Sequence, residues 1–164
     1  MLFLGHMKKL LFIRHAKATH DTGFTDFERP LTKKGLAQCD VMVNRLIVNN
    51  IKPEQMVSSP ALRTVTTADV FTKGLGLPTA TYYPEIYDAS ESALLKVIYH
   101  LDDQYDFIAL VGHNPGISQV LYYLSGEYRE VTTCALALME FNTESWAELS
   151  ENTGTLTYFD SPKD

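Results

Sequence analysis

Asp106-Phe107-Ile108-Ala109-Leu110-Val111-Gly112-His113-Asn114-Pro115-Gly116 is the stretch that decides the fold. Phe107 to Val111 is an unbroken apolar run with no side left for solvent, as in a strand covered on both faces. Gly112 ends the run, and Pro115 stands where a first helical turn has no use for an amide hydrogen. The segment reads as strand, tight turn and helix, the helix running from Pro115 to about Leu124.

The same order repeats outward from it. Lys8 to Ile13, with Leu10, Leu11, Phe12 and Ile13, predicts a first buried strand. Arg14 to Thr32 is polar and without period, longer than a usual connection, and such loops are commonly functional or disordered. Thr32 then caps a helix over about 33–49, with Leu36, Cys39, Val43, Leu46 and Ile47 on one face. Gln55 to Ser58 is a second strand. Ser59 as cap and Pro60 as first helical residue open a helix to about Lys73, stopped by Gly74 and Gly76. Thr79 to Tyr83 reads as a strand, and Ser90 or Ser92 to Leu101 as a helix carrying Leu94, Leu95, Ile98 and Leu101. The tail differs: Thr132–Phe141, Trp146–Leu149 and Thr155–Phe159 are strand-like runs separated by polar turns.

Alternating strands and helices predict a three-layer α/β/α fold with a mostly parallel central sheet, and the tail adds antiparallel strands at one edge. No repeat, linker or low-complexity tract divides the 164 residues, so residues 7–164 are expected to form one domain. Met7 directly precedes the first strand, and residues 1–6, His6 included, read as a tag remnant or an alternative start.

Fourteen Lys and Arg against twenty Asp and Glu leave a formal charge of −6. That balance excludes a nucleic-acid binder and an anionic-membrane binder, both of which need a basic face. No apolar stretch reaches the ~18 residues of a membrane helix. Cys39 and Cys134 read as buried free thiols, and the expected location is cytoplasmic. A phosphorylated substrate held by a few local cations is still allowed.

Ligands of parallel sheets bind beyond the carboxyl ends of the strands. Arg14 and His15 follow the first strand, Arg63 lies one turn into the helix after the second, and His113 and Asn114 follow the fourth. Paired guanidinium forks grip phosphate oxygens, and helix N-termini add N–H donors. A neutral imidazole in such a field is a competent nucleophile, while a second histidine donates to the transferring oxygens.

These blocks resemble a known family. Leu11-Phe12-Ile13-Arg14-His15-Ala16 is similar to the R-H-G signature of the histidine phosphatase superfamily, the phosphoglycerate mutase-like fold. Ser58-Ser59-Pro60-Ala61-Leu62-Arg63-Thr64-Val65-Thr66-Thr67-Ala68 resembles its S-S-P-x-x-R-x-x-x-T-A segment, and Gly112-His113-Asn114-Pro115 its G-H-N-P block. Asp26-Phe27-Glu28-Arg29-Pro30-Leu31-Thr32-Lys33-Lys34-Gly35 is similar to the R-P-L-T-x-x-G stretch of its small bacterial branch. Ala16 in place of glycine resembles the SixA-type phosphohistidine phosphatases. The resemblance implies His15 as nucleophile, a phosphate pocket of Arg14, Arg63 and His113, a phosphohistidine intermediate and no metal or organic cofactor. It implies a phosphohistidine-bearing protein or a small phosphorylated molecule as partner, with a monomer compatible with either.

Ester-hydrolysing members place a glutamate acid near the position of Pro84; here Glu85 and Asp88 are the nearest carboxylates. An alkoxide needs that proton, whereas an imidazole leaves already protonated, so the gap fits a phosphohistidine substrate. The alternatives are a small-molecule phosphomonoesterase or mutase, and a non-catalytic phospho-ligand module. Thr19, His20 and Asn114 are candidates for phosphate contact or the pocket wall, with His20 expected to be solvated. Cys39 and Arg45 have the C-x5-R spacing of a cysteine phosphatase, but the stretch is helical and without glycine. A metal set of His15, His20, Asp21 or Asp26, and His113 is opposed by the two arginines at the same edge.

Overall fold

The computed structural model describes residues 7–162, so the reading of residues 1–6 lies outside the described residues. In chain order the elements are β1 (Met7–Arg14), α1 (Lys33–Val48), β2 (Gln55–Ser58), α2 (Leu62–Leu75), β3 (Thr81–Tyr82), α3 (Glu91–Tyr99), β4 (Phe107–Gly112), α4 (Gly116–Ser125), β5 (Leu136–Asn142) and β6 (Gly154–Asp160). The sheet order is β3-β2-β4-β1-β5-β6. The first four strands of that order run parallel, and β5 and β6 continue the sheet antiparallel.

β1 shows why three layers form. Its side chains alternate across the sheet. Leu10 and Phe12 join a core with Leu94, Ile98, Val120 and Leu124 of α3 and α4. Leu11 and Ile13 join a second core with Cys39, Met42, Leu46 and Phe71 of α1 and α2. β4 repeats the pattern, Ile108 and Leu110 on one side and Ala109 and Val111 on the other. The expected α/β/α architecture is the one observed. Cys39 and Cys134 are buried free thiols in the second core.

Several boundaries differ from the sequence reading. Thr32 caps α1 by accepting from Gly35 N, but Leu36 and Ile47 are 42% and 52% exposed. The buried stripe is Gly35, Cys39, Met42, Val43 and Leu46. A glycine adds nothing to an apolar pattern, yet Gly35 seats the first turn where a β-carbon would collide with the Lys17 carbonyl. α2 starts at Leu62 because Ser59 and Pro60 are spent on the preceding turn, where Ser59 Oγ accepts from Ala61 N. Gly74 does not end α2. It lies against α1, where a β-carbon would come within 2.6 Å of Val43 Cγ1, and Gly76 at φ 71° is the cap.

Ser90 caps α3, which ends at Tyr99, before Leu101. α4 begins at Gly116 with Pro115 as its cap. β3 keeps only two of the expected residues, and Thr132–Ala135 is a turn ahead of β5. Trp146–Leu149 is no strand. A 3-10 turn over Trp146–Glu148 lets Trp146 enter the core with its indole N–H shared between the carbonyls of Asp102 and Tyr105, 3.2 Å from each. The segment between β1 and α1 is ordered by a 3-10 turn at Asp26–Glu28 and a bridge from Ala18 to Leu31.

Lys8 is 1% exposed at the amino end of β1. Its ammonium donates to the carbonyls of Asp103 and Tyr105 and to Asp106 Oδ1, at 2.8 to 2.9 Å, and faces the Trp146 ring. Three donors meeting three acceptors offset the burial of the charge. Among the described residues no helix is long and apolar enough to cross a membrane.

Candidate active site

β4 lies between β1 and β2, with Arg14 opposite Gly112 and Ser58 opposite Val111. Three carboxyl ends therefore finish side by side, and the residues just beyond them converge. Arg14, His15, Arg63, His113 and Asn114 line one cleft of about 540 Å³. His15 and the expected phosphate pocket of Arg14, Arg63 and His113 come from three separate segments that the sheet brings side by side.

His15 is 6% exposed. Its backbone continues the strand pairing, its N–H donating to the Gly112 carbonyl and its carbonyl accepting from Cys134 N. Nδ1 sits 2.8 Å from the Ala16 carbonyl oxygen. A carbonyl only accepts, so Nδ1 carries the proton and Nε2 holds the lone pair. The imidazole pKa is pushed down to about 3, mainly by burial and further by the charges of Arg63 and Arg14. His15 is thus a neutral imidazole of defined tautomer. His113 is shifted down as well, by burial and then Arg63, with Asp88 and Asp26 pulling the other way.

Arg63 is 4% exposed. Nη1 donates to the Asp26 carbonyl at 2.7 Å and Nη2 to Asp26 Oδ2 at 3.2 Å. Arg14 Nη1 donates to the Val131 carbonyl at 2.8 Å. Nε of Arg14 and Nε of Arg63 are buried without a hydrogen-bond partner among the described residues. Two guanidinium N–H groups left open beside a neutral imidazole suit an oxyanion, since a buried donor without a partner is costly.

The supporting groups explain the motif spacings. Thr67 accepts from Ala16 N at 3.1 Å and donates to the Arg63 carbonyl at 2.8 Å, tying the residue after His15 to α2. Asn114 donates to the same Val131 carbonyl as Arg14, and its Oδ1 accepts from Ser118 N in the first turn of α4. Asn114 lines the cleft, but its amide is engaged with the backbone. His20 also lines the cleft and is exposed. Thr19 does not line it; its hydroxyl accepts from Asp21 N within its own loop.

The two acid candidates separate. Asp88, in a left-handed conformation at φ 51°, lines the cleft. Glu85 lines a different cavity of about 390 Å³, with Tyr83, Lys96, Val97 and His100. The sequence reading missed Lys17, Arg29 and Tyr87 on the cleft, and it weighed Asp26 only as a metal ligand. Arg29 opens the R-P-L-T stretch and Asp26 stands three residues before it, so both were findable from it. Tyr87 carries no signal of its own.

The model of the histidine phosphatase superfamily (branch 1) matches residues 10–85. An uncharacterized chloroplastic protein of Arabidopsis thaliana is 26% identical over 152 residues, spanning 86% of this chain and 70% of its own length. An uncharacterized protein of Mycobacterium tuberculosis is 25% identical over 162 residues, 92% of this chain and 100% of its own. Among solved structures, the protein histidine phosphatase SixA complexed with tungstate superposes with a TM-score of 0.81 at 24% identity, covering 94% of this chain and 97% of that one. A mycobacterial glucosyl-3-phosphoglycerate phosphatase gives a TM-score of 0.65 at 12% identity, over 95% of this chain and 100% of that one. The family match over residues 10–85 and the fold shared over nearly the whole chain agree, and the chain resembles the histidine phosphatase superfamily in both.

Proposed function

We propose that the chain is a phosphatase acting through a phosphohistidine on His15, with a phosphohistidine borne by a protein as its preferred substrate. The carrying observation is the neutral His15, its Nε2 lone pair free and buried guanidinium N–H groups of Arg14 and Arg63 beside it. In the first step Nε2 attacks phosphorus, the N–P bond to His15 forms and the bond to the leaving group breaks. Arg14, Arg63 and His113 hold the three transferring oxygens as their charge grows. In the second step water adds to phosphorus, the bond to His15 breaks and orthophosphate leaves with the imidazole restored. No step calls for a metal or organic cofactor.

The leaving group supports the substrate class. Glu85 lines another cavity, so it does not serve an alkoxide, whereas an imidazole departs already protonated. The tungstate complex of SixA makes that oxyanion a suitable phosphoryl probe here. Asp88 on the cleft favours the second reading, a small-molecule phosphomonoesterase in which that carboxylate supplies the proton.

Hydrolysis rates on a phosphohistidine protein, a phosphorylated sugar or glycerate and p-nitrophenyl phosphate separate the two. The phosphohistidine protein is expected to be the best substrate, with Asp88→Asn leaving that rate within about twofold. A preference for simple esters, lost in Asp88→Asn, would favour the phosphomonoesterase. His15→Ala is expected to bind tungstate without turnover; turnover at the wild-type rate would overturn the mechanism.

A further inference from the structure

Asp26 contacts two other segments around the cleft and Arg29 of its own loop. Its carbonyl and Oδ2 accept from the two terminal nitrogens of Arg63, at 2.7 and 3.2 Å. The same Oδ2 accepts from the Tyr87 hydroxyl at 2.6 Å, and Oδ1 lies 3.3 Å from Arg29 Nε. Two bonds from one residue to both ends of a planar group define the plane of that group. A guanidinium has five N–H donors. Asp26 occupies one on each terminal nitrogen, and Nε–H is among those left over. Tyr87, held by the same carboxylate, packs edge-on against Phe27 at 5.1 Å and keeps its ring 6.1 Å from that of His113.

We infer that Asp26 is a positioning residue for the phosphoryl-transfer site, setting the plane of the Arg63 guanidinium. The inference rests on Arg63 holding the transferring phosphoryl group, and not on the identity of the substrate. The carboxyl is held below the ordinary carboxylate value, first by the Tyr87 hydroxyl and then by Arg63. It is an anion at working pH, and acts as a counter-ion rather than a proton donor. Its side chain is 57% exposed, so the ion pair itself adds little to stability. Geometry at the site and stability of the fold are therefore separable in the same variant.

The test is a double-variant cycle with p-nitrophenyl phosphate, an ester chosen so that the outcome is independent of any phosphohistidine preference. Asp26→Ala is expected to lower kcat/KM by about ten- to a hundredfold, the cost of a misplaced binding group. Its melting temperature should stay within about 4 °C of the parent. In an Arg63→Ala background the same change is expected to add less than about twofold, because the group it orients is gone. Asp26→Asn keeps the shape but has a single acceptor oxygen, and serves the cycle if the alanine variant does not fold. Wild-type turnover in Asp26→Ala, or losses that multiply in the double variant, would overturn the inference. Full activity of Arg63→Ala alone would overturn the reading of the site beneath it.

Discussion

Nδ1 of His15 lies 2.8 Å from the carbonyl oxygen of Ala16, its own neighbour in the chain. The pair fixes one tautomer without any acidic partner for the ring. In many catalytic sites a carboxylate holds the histidine and favours its protonated form. Here a neutral carbonyl does the holding, while burial and two arginines oppose a positive charge. The imidazole stays uncharged and nucleophilic.

That arrangement predicts an imidazole which does not titrate near neutrality. In the NMR spectrum of the ligand-free protein, the His15 ring is expected to remain neutral from pH 8 to about 4.5, consistent with a pKa of about 3. A midpoint between 6 and 7, the ordinary histidine range, would contradict it.

The same shift has a consequence for stability. The folded pKa of about 3 lies below the unfolded value of about 6.5, so between them the unfolded chain binds a proton that the folded chain refuses. Stability is unaffected by this group above pH 6.5 and falls as pH drops toward 3. From pH 7 to pH 4 the loss from His15 comes to roughly 3 kcal/mol. Denaturant unfolding of His15→Asn at both pH values should show a pH dependence smaller by about that amount. An unchanged dependence would count against the buried neutral ring.

Thr67→Val removes the acceptor for Ala16 N and the donor to the Arg63 carbonyl while keeping the side-chain shape. A buried N–H left alone costs about 1–3 kcal/mol, visible in thermal denaturation. Because both bonds brace catalytic segments, kcat should also fall by about tenfold or more. A loss of stability with kcat unchanged would confine Thr67 to the fold.

Lys8 lies at the opposite end of the sheet from the cleft. Lys8→Ala leaves the Asp103 carbonyl without its donor and removes the Tyr105 contact, and should destabilise by about 1–3 kcal/mol, while the exposed Asp106 carboxylate is resolvated. Turnover per folded molecule should not change. Urea unfolding and specific activity on the same preparation check both halves.

Turnover is expected to survive EDTA, since positive guanidiniums stand where a cation would have to bind. Activity abolished by the chelator and restored by Mg²⁺ or Zn²⁺ would refute the cofactor-free mechanism.

Much of the molecule is legible in the order of its residues. The apolar run Phe107–Val111 and the run from Leu10 to Ile13 identify strands buried on both faces, and both occupy the middle of the sheet. Arg14, His15, Arg63 and His113 each stand beside a strand or helix boundary, and the rule for parallel sheets puts them at one edge. The misreadings have physical causes. Leu36 and Ile47 flank the buried stripe of α1, and a pattern of apolar letters does not see that Gly35 lies at its start. Trp146 and Leu149 read as strand because a bulky apolar run says nothing of the carbonyls that receive the indole.

The sequence alone determined which groups are present: two imidazoles and two guanidiniums, in an order and spacing that resemble those of one superfamily. Tertiary structure alone decided what state they are in. The tautomer and charge of His15 follow from burial among Arg63, Arg14 and His113, groups drawn from three segments of the chain. Tyr87 reaches Asp26 across 61 positions, and Asp88 rather than Glu85 faces the cleft because the 3-10 turn over Pro84–Ile86 points the two apart into different cavities. Residue type sets which protons a group can hold. Desolvation and neighbouring charge set whether it holds them, and both are properties of three-dimensional distance.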